Sequence, residues 1–230
     1  MKKYKIKKIN YYSPIDGDIN ITPSKNFIPD WYKGIKSYSE KNIQFGPMNN
    51  PLKTIKNCVP FLDSLTSGYM IELWSDVHFK KTENGHFVTW ASDQPVDFRK
   101  DNSLDIIPIP QGHSNDHYTW LSPFFIELPI GYSALVTHPF NRFDLPFTTM
   151  SGIIDKQIGR GNFPFFIKNN FEGIIKKGTP IAQILPFKTE DWQINKNENL
   201  SIIDTQHCAN VKKKFFGYYK NNIWKRKQYL

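Results

Sequence analysis

The sequence predicts a mostly β protein, with a short helix near residues 52–66 and a basic helix at the carboxy-terminal end. Two observations carry this. Between residues 69 and 187 the apolar residues come in short runs, several with period two, as strands with one buried face require. These runs are stopped by Pro, Gly or Asn at intervals of roughly ten residues, the spacing of a β barrel or sandwich. Composition agrees: 230 residues, 39% hydrophobic and 15% aromatic, suffice for a packed core and are too apolar for disorder.

The elements follow in order. Tyr4-Lys5-Ile6-Lys7 alternates apolar and basic and reads as an edge strand guarded by lysines. Residues 11–51, rich in Pro, Gly, Asn and Ser, read as short strands and irregular loops anchored by Phe27, Ile28, Trp31 and Tyr32. Ile55, Val59, Leu62 and Leu65 recur at helical spacing, with Pro60 and Ser67-Gly68 limiting the helix. From Tyr69 the period becomes two, with Tyr69, Ile71, Leu73, Val77 and Phe79 facing one way. Asn84-Gly85 is a two-residue hairpin turn, because both central positions need positive φ, and His86–Trp90 is the returning strand.

Ala91–Asp116 is polar, carries three prolines and reads as one long loop. Strands are then expected at Phe124–Leu128, Gly131–Thr137, Thr148–Asp155, Phe163–Lys168 and Ile181–Phe187. Val211, Phe215, Tyr218 (or Tyr219) and Ile223 form a helical stripe with lysines opposite, which suits a docked terminal helix. The organisation is an extension over 1–51, a β-rich core over 52–192, and a linker and basic helix over 193–230.

Lys and Arg number 30 against 21 Asp and Glu, a net charge of +9, but the excess is uneven. Residues 1–10 carry +5 and residues 201–230 carry +6, leaving −2 for residues 11–200. Two solvated basic ends are the plainer reading; the other is phosphate, nucleic acid or an acidic partner held by those ends. Two cysteines, Cys58 and Cys208, make neither a disulfide framework nor a four-thiolate zinc site. No run approaches the ~18 apolar residues of a membrane span, and no leader pattern opens the chain. A soluble intracellular protein without a membrane partner is the expectation.

Three segments resemble known motifs. Leu128-Pro129-Ile130-Gly131-Tyr132 leads into a strand, Ser151-Gly152-Ile153-Ile154-Asp155 is a glycine-to-aspartate hairpin, and Lys176-Lys177-Gly178-Thr179-Pro180-Ile181-Ala182-Gln183-Ile184 is a glycine-initiated strand. In this order, residues 127–187 resemble the core of the dUTPase and dCTP deaminase superfamily, whose fold is a β-clip or distorted jelly-roll barrel. The resemblance implies a homo-oligomer, commonly a trimer with pockets at subunit junctions. It also implies that Asp155 takes the place of the aspartate that orients the attacking water.

The chain departs from that pattern elsewhere. Lys156–Gly161, just after Asp155, supplies no tyrosine, Thr137-His138-Pro139-Phe140-Asn141-Arg142 replaces the arginine-serine-glycine phosphate motif, and Gly217 is the one glycine of the last thirty residues. The longer span from Cys58 to Trp192 is similar to a family encoded by tailed bacteriophages, which implies a phage or host protein partner and a place in the virion or host cytoplasm.

The candidate ligand-binding residues are Asp155 for polar orientation, Arg142 for phosphate contact, His138 at the rim and Gln183 for amide recognition. For Arg142 and His138 the alternative is structural: an ion pair with Asp144 and packing beside Pro139. His113 and His117 sit four apart but in a segment read as a polar loop, so no metal site is expected there. Gly159-Arg160-Gly161 is too short for a phosphate loop, and no Gly-x-Ser-x-Gly elbow occurs. The leading expectation is therefore a non-catalytic phage-type β-clip protein that binds or assembles, as a virion component or as an accessory protein binding a host factor or nucleotide, with no cofactor. The alternative is a nucleotide pyrophosphatase or deaminase with Asp155 as water-activating base and Mg²⁺ on the phosphates. Nucleic-acid binding through the basic termini is the third.

Overall fold

The structure is a computed structural model that describes residues 7–13, 20–39, 53–83, 85–101, 107–155, 157–158, 161–196, 205–206, 208–210 and 218–230. It is mostly β, with 41% strand and 17% helix. The amino-terminal third holds β1 (Asn10–Tyr12), β2 (Ile21–Pro23), α1 (Asp30–Gly34) and α2 (Val59–Thr66). The strands β3 (Tyr69–Glu72), β4 (Val77–Thr82), β5 (Gly85–Trp90), β6 (Val96–Asp101) and β7 (His113–Leu121) follow. Next come β8 (Phe125–Glu127), β9 (Tyr132–Thr137), β10 (Phe147–Thr149), β11 (Gly152–Asp155) and β12 (Gln157–Ile158). The series ends with β13 (Asn162–Lys168), β14 (Gly173–Ile175), β15 (Pro180–Lys188) and α3 (Tyr218–Asn222).

The strands form four antiparallel sheets, ordered β1-β8-β12, β10-β13-β7-β6, β11-β9-β15-β3-β2 and β14-β4-β5. None closes into a barrel among the described residues. The five-stranded sheet positions the candidate residues. Its centre is β15, paired to β9 from Gln183↔Thr137 to Lys188↔Tyr132 and to β3 on its other edge. Beyond β9 lies β11, with Asp155 opposite Ser133.

Several expectations need correction. The stretch read as one loop from Ala91 to Asp116 contains β6 and the start of β7, so His113 and His117 lie on a strand. His113 bonds Thr148 and the Gln111 carbonyl, while His117 packs its ring 5.4 Å from that of Phe166. The single strand expected over Thr148–Asp155 is two. β10 pairs with β13 and β11 with β9, the chain changing sheets at Met150-Ser151. The first hairpin turns one residue earlier than expected, since Thr82 pairs with Gly85. Tyr4–Ile6, Asn84, Lys156, Gly159, Arg160, Val211 and Phe215 lie outside the described residues.

The helix near 52–66 is a 3-10 turn over Ile55–Asn57 followed by α2. Thr54 opens the turn by accepting the Lys56 N–H at 3.3 Å. Pro60 is tolerated because it lies in the first turn, where its missing N–H has no partner to lose. Of the terminal region, the described residues show helix at 205–206 and 208–210 and in the short α3.

Aromatic side chains dominate the core, as their share of the composition suggests. Trp120 stacks on Phe165 at 3.9 Å and 8°, and Phe147, Tyr118 and Phe79 close around them edge-on or tilted. The one polar atom of the Trp120 ring, Nε1, donates to Thr149 Oγ1 at 3.3 Å, and that hydroxyl donates to the Ile181 carbonyl at 2.6 Å. A buried indole N–H without such an acceptor would cost about 1–3 kcal/mol.

The chain divides into two compact units: Met1–Pro29 with Ser64–Thr189 and Tyr229, and Asp30–Asp63 with Glu190–Gln228 and Leu230. The first holds all four sheets. The second holds α1 and α3; there Tyr32 stacks on Phe61 at 5.7 Å, and Trp224 Nε1 donates to Asp63 at 2.9 Å. No helix among the described residues is long and apolar enough to cross a membrane.

Candidate functional site

Three of the four candidate residues meet at one end of the five-stranded sheet. β9 ends at Thr137, and the loop that follows, 138–146, carries His138 and Arg142 before β10 begins. Gln183 reaches this loop from β15 because it pairs with Thr137. Its side chain is wholly buried. Oε1 accepts the Phe140 N–H at 2.8 Å, while Nε2 donates to the Ser64 carbonyl at 3.0 Å and the Ser67 carbonyl at 2.6 Å. Both amide hydrogens and the oxygen are thus engaged with backbone.

Arg142 forks onto Asp144, with Nε 2.9 Å from Oδ1 and Nη2 2.8 Å from Oδ2. Nη1 reaches the Phe27 carbonyl at 3.4 Å. The guanidinium side chain is 12% exposed and its partner 39%, so the pair is partly withdrawn from solvent. Two parallel charge-assisted bonds in that geometry fix orientation as well as supply energy. Asn141 adopts a left-handed φ of 59°, which Asn tolerates, and its Nδ2 donates to Ser64 Oγ at 2.7 Å.

His138 completes the loop. The Thr149 backbone N–H can only donate, so Nδ1 accepts from it at 3.3 Å. The Arg142 carbonyl can only accept, so Nε2 carries the hydrogen and donates at 3.1 Å. These partners specify one neutral tautomer. Burial pushes the His138 pKa below its ordinary 6.5; the Arg142 and Lys168 charges push the same way, against Asp144 and the carbonyl bond. A base that is harder to protonate when folded stabilises the fold above the unfolded pKa. That stability is lost as pH falls from about 6.5 towards the folded value. Melting temperature should therefore decline between pH 7 and pH 5, with a shallower decline in His138→Asn, which keeps an acceptor but does not titrate. Parallel curves for the two proteins would refute this.

Asp155 stands apart. It sits opposite Ser133, and Ser133 and Thr137 are four residues apart on β9, about 14 Å at strand rise. Its Oδ1 accepts from Ser133 Oγ at 2.5 Å. The hydrogen of Ser133 is thereby committed, so at 2.6 Å Thr189 Oγ1 is the donor to Ser133 Oγ. The result is a chain of hydroxyls from exposed Thr189 through buried Ser133 to the exposed carboxylate. Neither Ser133 nor Thr189 was a candidate in the sequence. No local signal in the sequence marks them, because Ser133 meets Asp155 and Phe187 only through the β9 register.

The chemistry open to this arrangement is limited. The loop end is internally hydrogen-bonded, with its imidazole neutral and its guanidinium forked onto Asp144. The Asp155 end offers an oriented carboxylate and two linked hydroxyls, of which that of Thr189 belongs to an exposed residue. Among the described residues no three His, Cys, Asp or Glu gather into a group that could hold a metal. No family model matches the chain, and no curated protein matches it.

Proposed function

We propose that this chain is a non-catalytic binding or assembly protein on a dUTPase-like β-clip, or distorted jelly roll, of a kind carried by tailed bacteriophages. One observation supports this above others: Gln183, Arg142 and His138 are each engaged by the protein itself. A nucleotide needs an arginine free for its phosphates, and Arg142 is forked onto Asp144. Asp155 is separated from that arginine by the length of β9. In this reading the protein acts as a homo-oligomer, in the virion or host cytoplasm, with a phage or host protein as partner.

The hydrolase alternative rests on Asp155 itself. Ser133 holds one carboxylate oxygen and the side chain is exposed, as a water-orienting base would need. Mg²⁺ would there neutralise phosphate charge. Incubation with a nucleotide panel including dUTP and dCTP, with Mg²⁺, separates the two through thermal shift and product formation. The expected result is no product, from wild type or from Asp155→Ala. Turnover abolished in Asp155→Ala would overturn the proposal, whereas a thermal shift without turnover would identify a nucleotide binder.

A further inference from the structure

Dividing the charge between the two compact units reveals something that dividing it along the chain does not. Of the net +9, the second unit carries +6, while Ser64–Thr189, where most of the strands lie, carries −1. The described residues of the second unit include nine Lys or Arg against four Asp or Glu. Two of those four acids are already matched: Asp30 by Lys33 at 2.8 Å, and Asp63 by Lys227 together with the Trp224 N–H.

The same unit exposes aromatic rings on the short elements that also carry its cations. Trp31 is 39% exposed, two residues before exposed Lys33 on α1. Tyr219 is 39% exposed and adjoins exposed Lys220 on α3, and exposed Lys225 and Arg226 follow Trp224. These parts are joined within the unit. Trp31 packs on Phe61 at 6.3 Å, and Asp63, on the same helix, holds Trp224 and Lys227. Lys56 already places its ammonium 4.4 Å from the Tyr32 ring centroid.

From this we infer that the second unit binds single-stranded nucleic acid, its lysines and arginine tracking phosphates and its exposed rings stacking on bases. Positive charge alone attracts any polyanion. Exposed rings add selectivity for unpaired bases, because every base presents a π-face that a duplex hides. The inference does not depend on Asp155 or on the reading of the first unit, and nucleotide turnover does not bear on it.

The test is fluorescence anisotropy of the full chain with labelled 20-nucleotide oligo-dT and oligo-rU, a 20-base-pair duplex, and co-sedimentation with phosphatidylserine vesicles. Both single strands, or one of them, should bind more tightly than the duplex, and their order tells DNA from RNA. Neutralising about three phosphates gives a slope near −2 in log K against log salt, so raising salt from 50 to 200 mM weakens binding roughly 20-fold. Lys225→Glu with Arg226→Glu should weaken binding at least as much without moving the melting temperature. Trp31→Ala should narrow the preference for single strands, with Trp31→Phe restoring it. No binding at 50 mM salt overturns the inference. So do equal affinity for duplex and vesicles, or undiminished binding by the charge-reversed protein.

Discussion

Replacing Gly68 by alanine is expected to cost about 3 kcal/mol or more, since its added methyl makes the closest contact found at the described glycines tested. Gly68 follows α2 by two residues, has φ +73°, and gives its carbonyl to the Ser24 N–H at 3.0 Å. A left-handed residue here stops the helix, and glycine alone adopts it without penalty. The conformation accounts for roughly 1–2 kcal/mol. The remainder comes from contact: a Cβ would lie 2.0 Å from the Ile184 carbonyl oxygen on β15. That atom is backbone in the middle of a sheet, so β3 and β15 must part at the Tyr69↔Ile184 pair. Gly112 supplies the comparison, because its φ is +77° but nothing lies within 4 Å of the added methyl. Urea denaturation should show a small loss for Gly112→Ala and a much larger midpoint shift for Gly68→Ala. Equal losses would mean the close approach is absent.

Gln183→Leu is expected to cost about 3 kcal/mol, from three hydrogen bonds at roughly 1 kcal/mol each, with no gain from its similar shape. The Ser64 carbonyl belongs to the last turn of α2, where helix geometry provides no partner, and the Ser67 carbonyl follows just beyond it. Gln183 caps both from another strand while tethering Phe140. Gln183→Glu should be worse than leucine at pH 7, since it aims a buried anion at two carbonyls. It should recover part of the loss at pH 4, because a protonated carboxyl donates one bond. A glutamate variant as stable as wild type at pH 7 would refute the capping role.

The fold class was legible in sequence because apolar alternation and Pro or Gly stops report local geometry directly. Phe124–Leu128, Gly131–Thr137, Phe163–Lys168 and Ile181–Phe187 correspond to β8, β9, β13 and β15 within a residue or two. β7 was partly hidden because its face is unusual. His117 and Thr119 are buried on one side while Tyr118 and Trp120 are buried on the other, so no alternation of apolar with polar appears. The split of Thr148–Asp155 was hidden for another reason. A change of sheet at Met150-Ser151 needs no breaker, only different partners, and partners are not written locally.

The site was less legible than the fold, for the same reason. Arg142 and Asp144 are two residues apart, and their pairing could be foreseen as one of two readings. Gln183 and Ser67 are 116 residues apart, and nothing near either one announces the bond. Asp155 could be placed at a strand end, but its hydroxyl partners depend on the register of β9.

The central position of β15 also sets an order of events as the chain acquires structure. β3, residues 69–72, finds its main partner only at residues 180–188, and the last turn of α2 finds its cap at residue 183. Contacts this far apart in sequence must close a long loop before they return any stability, which slows folding. During synthesis α2 and β3 emerge early; β3 can pair with β2, already made, but α2 waits uncapped and one edge of β3 stays open while more than a hundred further residues are added. The five-stranded sheet is then completed late and at its middle, β15 entering between β3 and β9. In that interval β3, with Met70 and Ile71 destined for burial, is the segment most open to pairing with another chain.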